Sequence, residues 1–169
     1  KFDLIIMNQV IEHIPEPDNV LKIIKERLAR DGVLIMTLPN VNSFWRLISR
    51  DRWINWHVPY HLHHFNKNNF KKMITNCNYK ILNSRTITPN VWTIMQLRSF
   101  FTNKEIEEKN KLWNEEISIY KKKKPKKRSI FSFKSYLKFL FLIPVTIFNR
   151  IIDLFGLGDS FMFFLKVND

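Results

Sequence analysis

The chain opens on the stretch FDLIIMNQVIEHIPEP, residues 2–17. Residues 2–8 form a nearly continuous apolar run, which is typical of a short strand buried on both faces of a sheet. Pro15 and Pro17 flank Glu16, and Asp18 follows them. Because proline and acidic residues favour the first turn of a helix, a helix is predicted to begin here.

Working outward from this stretch, apolar residues recur at helical spacing through residues 20–28, with charged residues on the opposite side. The dipeptide Asp31-Gly32 is expected to end this helix, because glycine tolerates the left-handed conformation of a helix C-terminal cap. Residues 33–38 read as a second buried strand, closed by Pro39. This order predicts one βαβ unit with parallel strands and a right-handed crossover.

The later part of the chain carries further local signals. Asn66 is expected to cap a helix that runs to about Cys77, with an inner face made of Phe70, Met73 and Ile74. Residues 79–88 and 161–167 are strand-like. We expect strand 79–88 beside the parallel pair, and strand 161–167 antiparallel in the edge region of the sheet. The fold class is therefore α/β.

The chain is strongly basic, with a formal net charge of +13 over 169 residues. Seven of the basic residues lie in the eight positions 121–128. This balance indicates an anionic partner, but the run has no interleaved aromatic residues and no known binding motif accompanies it, so nucleic acid is not expected. The single cysteine, Cys77, excludes an internal disulfide and fits a reducing cytoplasm.

Residues 139–148 are ten consecutive residues without charge, interrupted by Pro144. They are too few to span a bilayer core of about 30 Å. One interpretation is an interfacial helix or helix pair that contacts anionic lipid together with the basic run. The other is that the stretch packs onto the sheet as core while the lysines form a solvated loop. Both interpretations stay open.

The opening stretch, read with the pieces that follow it, resembles the small-molecule class I S-adenosylmethionine-dependent methyltransferases of the ubiquinone-methyltransferase type. In that family a Phe-Asp pair opens the fourth strand, and a Leu-Glu-His-hydrophobic-Pro-acidic-Pro stretch opens the next helix. The later matching pieces occur in the family's order: residues 28–35, Thr-Leu-Pro-Asn at 37–40, Pro-Tyr-His-Leu at 59–62 with Phe65, and Gly-Asp at 158–159.

The resemblance implies a partial Rossmann-like methyltransferase sheet built from C-terminal strands, with a helical insertion before the last strand. Residues 1–88 would be the C-terminal half of the core, 89–158 a helical, basic and apolar insertion, and 159–169 the final core strand. The chain has three glycines and no glycine-rich turn after its first strand. We therefore expect that turn to precede Lys1, and residues 1–169 alone to bind no cofactor measurably.

The function that the resemblance implies is methyl transfer from S-adenosylmethionine to a small-molecule, or lipid- or sugar-linked, acceptor. The expected location is the cytoplasm, with peripheral contact at the inner face of an anionic membrane. The alternative is a non-enzymatic, basic module that binds a membrane surface.

Ligands of open α/β sheets bind at the carboxyl ends of the strands, so Asn8 and Gln9 are predicted to contact the cofactor. In relatives, the position of Asn8 lies beside the methionine and ribose part of the cofactor. The alternative for Asn8 is that it merely terminates the strand.

Glu12 and His13 have two interpretations. In ubiquinone-type enzymes, an acidic residue at the position of Gln9 joins the Glu-His pair in binding a divalent cation. Here an amide stands in place of that acid, and hard cations favour carboxylates. We therefore expect Glu12 and His13 to form hydrogen bonds around the loop and the helix start, and no metal to be bound.

Four histidines lie within eight residues, at His57, His61, His63 and His64. A zinc site, and with it a metal-dependent hydrolase, is disfavoured because the ligand spacing is wrong and the only cysteine is distant. We interpret the segment as a loop over the active site. His61 is predicted to accept a proton from a nucleophilic hydroxyl, since the pKa of histidine lies near the operating pH.

The aromatic side chains of the same segment have two interpretations. Trp56 and Tyr60 are predicted to line a substrate pocket together with His57. Trp53, Trp56 and Tyr60 would serve equally well as core packing under a long loop.

Overall fold

The computed structural model describes residues 1–101 and 133–168, and for residues 133–141 it describes the helical backbone only. In chain order the elements are β1 (Phe2–Asn8), α1 (Pro17–Arg27), β2 (Leu28–Pro39), α2 (Phe44–Ser49), α3 (Lys67–Asn76), β3 (Tyr79–Ile87), α4 (Asn90–Phe101), α5 (Phe133–Leu154) and β4 (Ser160–Val167). Short 3₁₀ turns lie at Ile11–His13, Arg50–Arg52 and Ile54–Trp56.

The strands form a single sheet in the order β1-β2-β4-β3. β1 and β2 are parallel, as predicted, and β4 is antiparallel to both of its neighbours. The predicted place of the last strand was wrong, because β4 lies inside this sheet and β3 forms the edge. β4 suits this place, since Phe161, Phe163 and Leu165 are buried in the main core.

Gly32 does not cap a helix. α1 ends at Arg27, Leu28 is already extended, and β2 runs through position 32. A Cβ atom at Gly32 would lie 2.8 Å from the carbonyl oxygen of Phe2. The predicted left-handed cap is therefore wrong, and the position requires glycine because the backbone of β1 approaches β2 closely.

The predicted helix at Asn66 is confirmed. The Asn66 side chain accepts hydrogen bonds from the backbone N–H groups of Asn68 and Asn69, and the Asn69 side chain accepts one from the Asn66 N–H. This reciprocal capping box begins α3. Phe70 and Ile74 are fully buried in the main core, with Met73 packed against it, as predicted. The strand predicted at 79–88 is also present, as β3.

A second apolar cluster lies beside the sheet. Trp45, Trp53 and Ile152 are its buried members, and residues of α4 and α5 pack against them. α5 packs on α4 and β3. The predicted uncharged stretch 139–148 thus lies within a helix, and its described part buries Val145 against the rest of the fold.

The opposite face of α5 is exposed. Ile143, Ile147 and Ile151 follow one another at four-residue spacing, and Leu154 and Phe155 continue this surface at the end of the helix. The basic run 121–128 lies outside the described residues. Within the described ranges, the helices are all too short or too polar to cross a bilayer.

Candidate active site

Asn8 and Gln9 lie at the carboxyl end of β1, beside Thr37 of β2. The Thr37 hydroxyl donates a hydrogen bond to Asn8 Oδ1. Gln9 adopts a left-handed backbone (φ 53°), and its side-chain amide donates to Thr37 Oγ1 at 3.3 Å and to Ser160 Oγ at 2.9 Å. The Gln9 amide is therefore committed to the sheet, while the Asn8 side chain remains exposed at the sheet edge.

Thr37 belongs to the Thr-Leu-Pro-Asn piece at 37–40, but no site role was predicted for it, although it contacts both predicted cofactor residues. Its position is set by the register of the parallel pair, in which Asn8 faces Thr37 across the strands. The predicted βαβ unit could have indicated Thr37, because the carboxyl ends of its two parallel strands lie side by side.

The turn Ile11–His13 follows directly and places Glu12 in the interior. The Glu12 side chain is 0% exposed, and neither of its carboxylate oxygens has a hydrogen-bond partner among the described residues. Burial raises the pKa of this carboxyl to about 6. The expectation that the Glu12 side chain would form hydrogen bonds around the loop is therefore wrong.

The Glu12 backbone nevertheless organises the histidine loop. Its carbonyl oxygen accepts hydrogen bonds from the N–H groups of Leu62 at 2.8 Å and His63 at 3.1 Å. These two bonds hold the loop that contains His61 against the turn Ile11–His13. Backbone hydrogen bonds therefore fix a contact between residues that are about fifty positions apart in the chain.

His13 and His61 face each other at this junction. Their ring centroids are 4.6 Å apart in an edge-to-face arrangement. The Nδ1 atom of His13 lies 2.8 Å from the carbonyl oxygen of Tyr60, so the hydrogen-bonding role predicted for His13 is confirmed. The Nδ1 atom of His61 lies 2.8 Å from the carbonyl oxygen of Asn55. Burial is the main reason why the pKa of His61 falls to about 4, and the neighbouring histidines lower it further.

The other histidines of the loop differ in their surroundings. His63 and His64 each direct Nε2 at a backbone carbonyl oxygen, that of Pro15 and that of Trp56, at 3.2 Å. His57 lies 4.9 Å from the His61 ring, and burial lowers its pKa. His63 and His64 thus hold the loop together, whereas His57 lies beside His61.

The predicted substrate residues fall into two environments. Trp56 is half-buried, and its indole N–H donates to the carbonyl oxygen of Arg50 at 2.8 Å. The ring centroids of His57 and Tyr60 lie 5.0 Å apart at an interplanar angle of 36°, and Tyr60 is 55% exposed. Trp53 is fully buried and donates to Asp159 Oδ1 at 3.2 Å, so it is a core residue.

Three side chains with ligand atoms for a metal ion converge within the described part of the chain. One candidate ligand atom from each of Glu12, His13 and His61 lies within 4.8 Å of the other two. Gln9 nearby directs its side-chain N–H groups at Thr37 and Ser160 on the sheet. We predicted that no metal is bound because Gln9 replaces the acidic ligand of ubiquinone-type enzymes. In the structure, the third side chain that lies beside Glu12 and His13 is that of His61.

Comparisons with known proteins give one match to a family model. A family model described as a methyltransferase domain matches residues 1–84. No curated protein sequence matches the chain. The similar solved structures include a SAM-dependent methyltransferase from Archaeoglobus fulgidus, with 11% identity and a TM-score of 0.48 over 98% of this chain and 59% of that one.

Two further structures are similar at the same level. One is the phosphoethanolamine N-methyltransferase 2 of Haemonchus contortus with S-adenosyl-L-methionine, at 16% identity and a TM-score of 0.43, covering 99% of this chain and 33% of that one. The other is PKMT2 of Rickettsia typhi with AdoHcy, at 12% identity and a TM-score of 0.41, covering 100% and 36%. The chain thus spans 33–59% of the length of these three structures. The sequence match thus relates residues 1–84, just under half of the 169-residue chain, to methyltransferase domains.

Proposed function

We propose that this protein transfers a methyl group from S-adenosylmethionine to a small-molecule acceptor or to an acceptor that is linked to a lipid or a sugar. The observation that carries the proposal is the placement of the His57–His61 loop. The backbone of Glu12 holds this loop next to the carboxyl end of β1, in the part of the chain that matches the methyltransferase family. Residues for the cofactor and for the acceptor therefore stand on neighbouring segments.

The proposed cofactor side consists of Asn8 and Gln9. Ligands of open α/β sheets bind outside the carboxyl ends of the strands, which is where both residues lie. The exposed Asn8 amide is the group available for contact, and the Gln9 side chain shapes this edge by binding Thr37 and Ser160. The cofactor supplies a methyl group on a sulfonium centre, and the chain supplies its orientation.

The proposed acceptor side consists of Trp56, His57, Tyr60 and His61. His57 and Tyr60 present ring surfaces on the outside of the loop. Because His61 donates its Nδ1–H to the Asn55 carbonyl, the lone pair of Nε2 is left for a hydroxyl proton. With a pKa of about 4, His61 is neutral at pH 7 and accepts this proton as a weak base.

The lipid-linked acceptor is supported by the surface of α5. Its exposed isoleucines at 143, 147 and 151, continued by Leu154 and Phe155, form an apolar face. The sequence places seven basic residues at 121–128, which would attract anionic lipid. We propose that this apolar face contacts the cytoplasmic face of a membrane peripherally. The non-enzymatic alternative would use the same apolar face of α5.

Calorimetry of S-adenosylmethionine binding by the full-length polypeptide tests the proposal. Asn8→Asp should weaken binding about tenfold or more, because it places a carboxylate near that of the cofactor. Asn68→Asp is the matched control, since it makes the same change at an exposed position in the first turn of α3, where a carboxylate is tolerated. Equal affinities of the two variants would show that Asn8 does not contact the cofactor.

A transfer assay tests the reaction itself. Methyl transfer to a lipid- or sugar-linked acceptor, and loss of turnover in His61→Ala with cofactor affinity retained, would support the assignment of the acceptor side. Cofactor binding without transfer to any acceptor, together with vesicle binding, would favour the membrane-surface module.

A further inference from the structure

A concave pocket lies beside the edge strand β3, and none of the predicted cofactor and acceptor residues lines it. Its volume is about 460 Å³, within the range of about 300–1,000 Å³ that is usual for sites of small ligands. The walls come from the beginning of α3, from β3 and from the end of α5. The lining residues that matter below are Lys67, Arg85, Thr86, Asp153, Leu154 and Phe155.

Two cationic side chains line this pocket, Lys67 in the first turn of α3 and Arg85 on β3. Both are exposed, and neither has a carboxylate partner among the described residues. The Arg85 guanidinium contacts the Met162 sulfur at 3.3 Å and lies over the Phe164 ring. A thioether sulfur is a weak acceptor, so Arg85 can exchange this contact for a phosphate oxygen. The pocket therefore offers two positive charges to an anion.

The acidic side chain among the described lining residues, Asp153, is already paired. Its carboxylate accepts hydrogen bonds from the Thr88 backbone N–H at 3.2 Å and from the Thr88 hydroxyl at 2.7 Å, and it forms an ion pair with Arg150 at 3.2 Å. The Thr86 hydroxyl donates to the Asp153 carbonyl at 2.8 Å, which joins β3 to the end of α5. This wall of the pocket is thus formed in advance, and its carboxylate is neutralised by its own partners.

The rim of the pocket is apolar. Leu154 and Phe155 line it although they are 85% and 77% exposed. They continue the exposed isoleucine face of α5, to which the membrane contact is assigned. Contiguous exposed apolar side chains mark a contact site. Cations beside an apolar rim match a molecule that carries a phosphate at one end and acyl chains at the other.

We propose that this pocket binds the phosphate head group of an anionic phospholipid through Lys67 and Arg85, while Leu154 and Phe155 contact the acyl chains. The proposal rests on the membrane contact of the proposed function and adds a specific lipid site to it. General attraction between basic residues and an anionic surface does not distinguish one lysine from another. A built site does, because the phosphate must lie within hydrogen-bond distance of particular side chains.

The test is calorimetry of the full-length polypeptide with dihexanoyl phosphatidic acid, kept below the concentration at which it forms micelles. We expect one lipid per chain. Lys67→Gln and Arg85→Gln should each weaken binding on the order of tenfold or more, since each removes a charge-assisted hydrogen bond. Lys71→Gln is the matched control, exposed one turn later on α3, and should change the affinity less than about threefold.

Two further ligands separate the possible sources of the phosphate. Dihexanoyl phosphatidylcholine carries a cation beside its phosphate, and glycerol phosphate has no acyl chains. Each should bind about tenfold more weakly than phosphatidic acid. Leu154→Ser should weaken lipid binding by about tenfold and leave the affinity for glycerol phosphate unchanged, because it alters only the apolar rim.

Three results would each overturn the proposal: no stoichiometric binding of phosphatidic acid, equal affinities of Lys67→Gln and Lys71→Gln, or equal affinities for the lipid and glycerol phosphate. Vesicle binding that Ile147→Glu reduces, and that Lys67→Gln and Lys71→Gln affect equally, would overturn the lipid site and leave the membrane contact standing. Binding of the soluble lipid without binding to anionic vesicles would support the site and count against the membrane contact.

Discussion

The substitution Asp159→Asn is expected to stabilise the protein, although it alters a fully buried side chain. Asp159 is 0% exposed, its Oδ1 accepts a hydrogen bond from the Trp53 indole at 3.2 Å, and its carboxyl also interacts with the Ser43 side chain. Its Oδ2 has no hydrogen-bond partner among the described residues. Burial, reinforced by the nearby Asp153 carboxylate, raises the pKa of Asp159 from 3.8 to about 6.

The magnitude follows from the difference between the folded and unfolded pKa values. A raised carboxyl pKa means that the folded state resists ionisation, so stability is lost as pH rises from about 4 to about 6 and stays reduced above that range. A shift of about two units corresponds to about 3 kcal/mol. Asparagine keeps an acceptor for Trp53 and carries no charge, so Asp159→Asn should gain about 3 kcal/mol at pH 8 and little at pH 4.

Urea unfolding followed by tryptophan fluorescence measures this difference in the full-length polypeptide. Asp51→Asn, at an exposed position in the loop before Trp53, is the control and should change stability by less than about 0.5 kcal/mol at either pH. A gain in Asp159→Asn that does not depend on pH, or a variant less stable than wild type at pH 8, would refute the reasoning.

Gly32→Ala should destabilise the protein by about 1–3 kcal/mol in urea unfolding, because the new Cβ atom would lie 2.8 Å from the carbonyl oxygen of Phe2. An unchanged urea midpoint would contradict the close approach of β1 to β2. Asn66→Ala should lose about 1 kcal/mol by removing the capping box of α3, and Asn66→Ser should recover most of it, which calorimetric melting can measure. Ile147→Glu on the exposed face of α5 should reduce co-sedimentation with anionic vesicles without lowering the melting temperature. Unchanged co-sedimentation would count against the membrane contact. Equal binding to neutral and anionic vesicles that salt does not affect would count against it as well.

The local elements of the fold were predictable from the sequence because each depends on neighbouring residues. The apolar run 2–8 predicted a strand, and β1 occupies that range, but its predicted burial on both faces was wrong, because Phe2, Leu4 and Ile6 are exposed. The capping residue Asn66 and the spacing of Phe70 and Ile74 predicted α3 and its inner face. The placement of Asn8 and Gln9 at a strand end follows from the same local pattern, since a strand that is recognised also defines its carboxyl end.

Long-range pairing was not predictable in this way. An apolar run such as residues 161–167 indicates a strand, but it does not identify the neighbours of that strand in the sheet. The chain places β4 between β2 and β3, where Ser160 also receives the Gln9 amide. Gly32 shows the same limit, because its local sequence resembles a helix cap and only the approach of Phe2 explains it.

The candidate site divides along the same line. The sequence alone determined that a Glu-His pair follows the first strand and that a histidine-rich loop comes later, and it singled out His61 within that loop. Only the tertiary structure decided that the Glu12 carbonyl binds that loop, that the Glu12 carboxylate is buried without a partner, and that His61 is the histidine beside it. The physical reason is that burial and hydrogen-bond pairing between residues 12 and 61 depend on how the turn and the loop pack, which no spacing along the chain encodes.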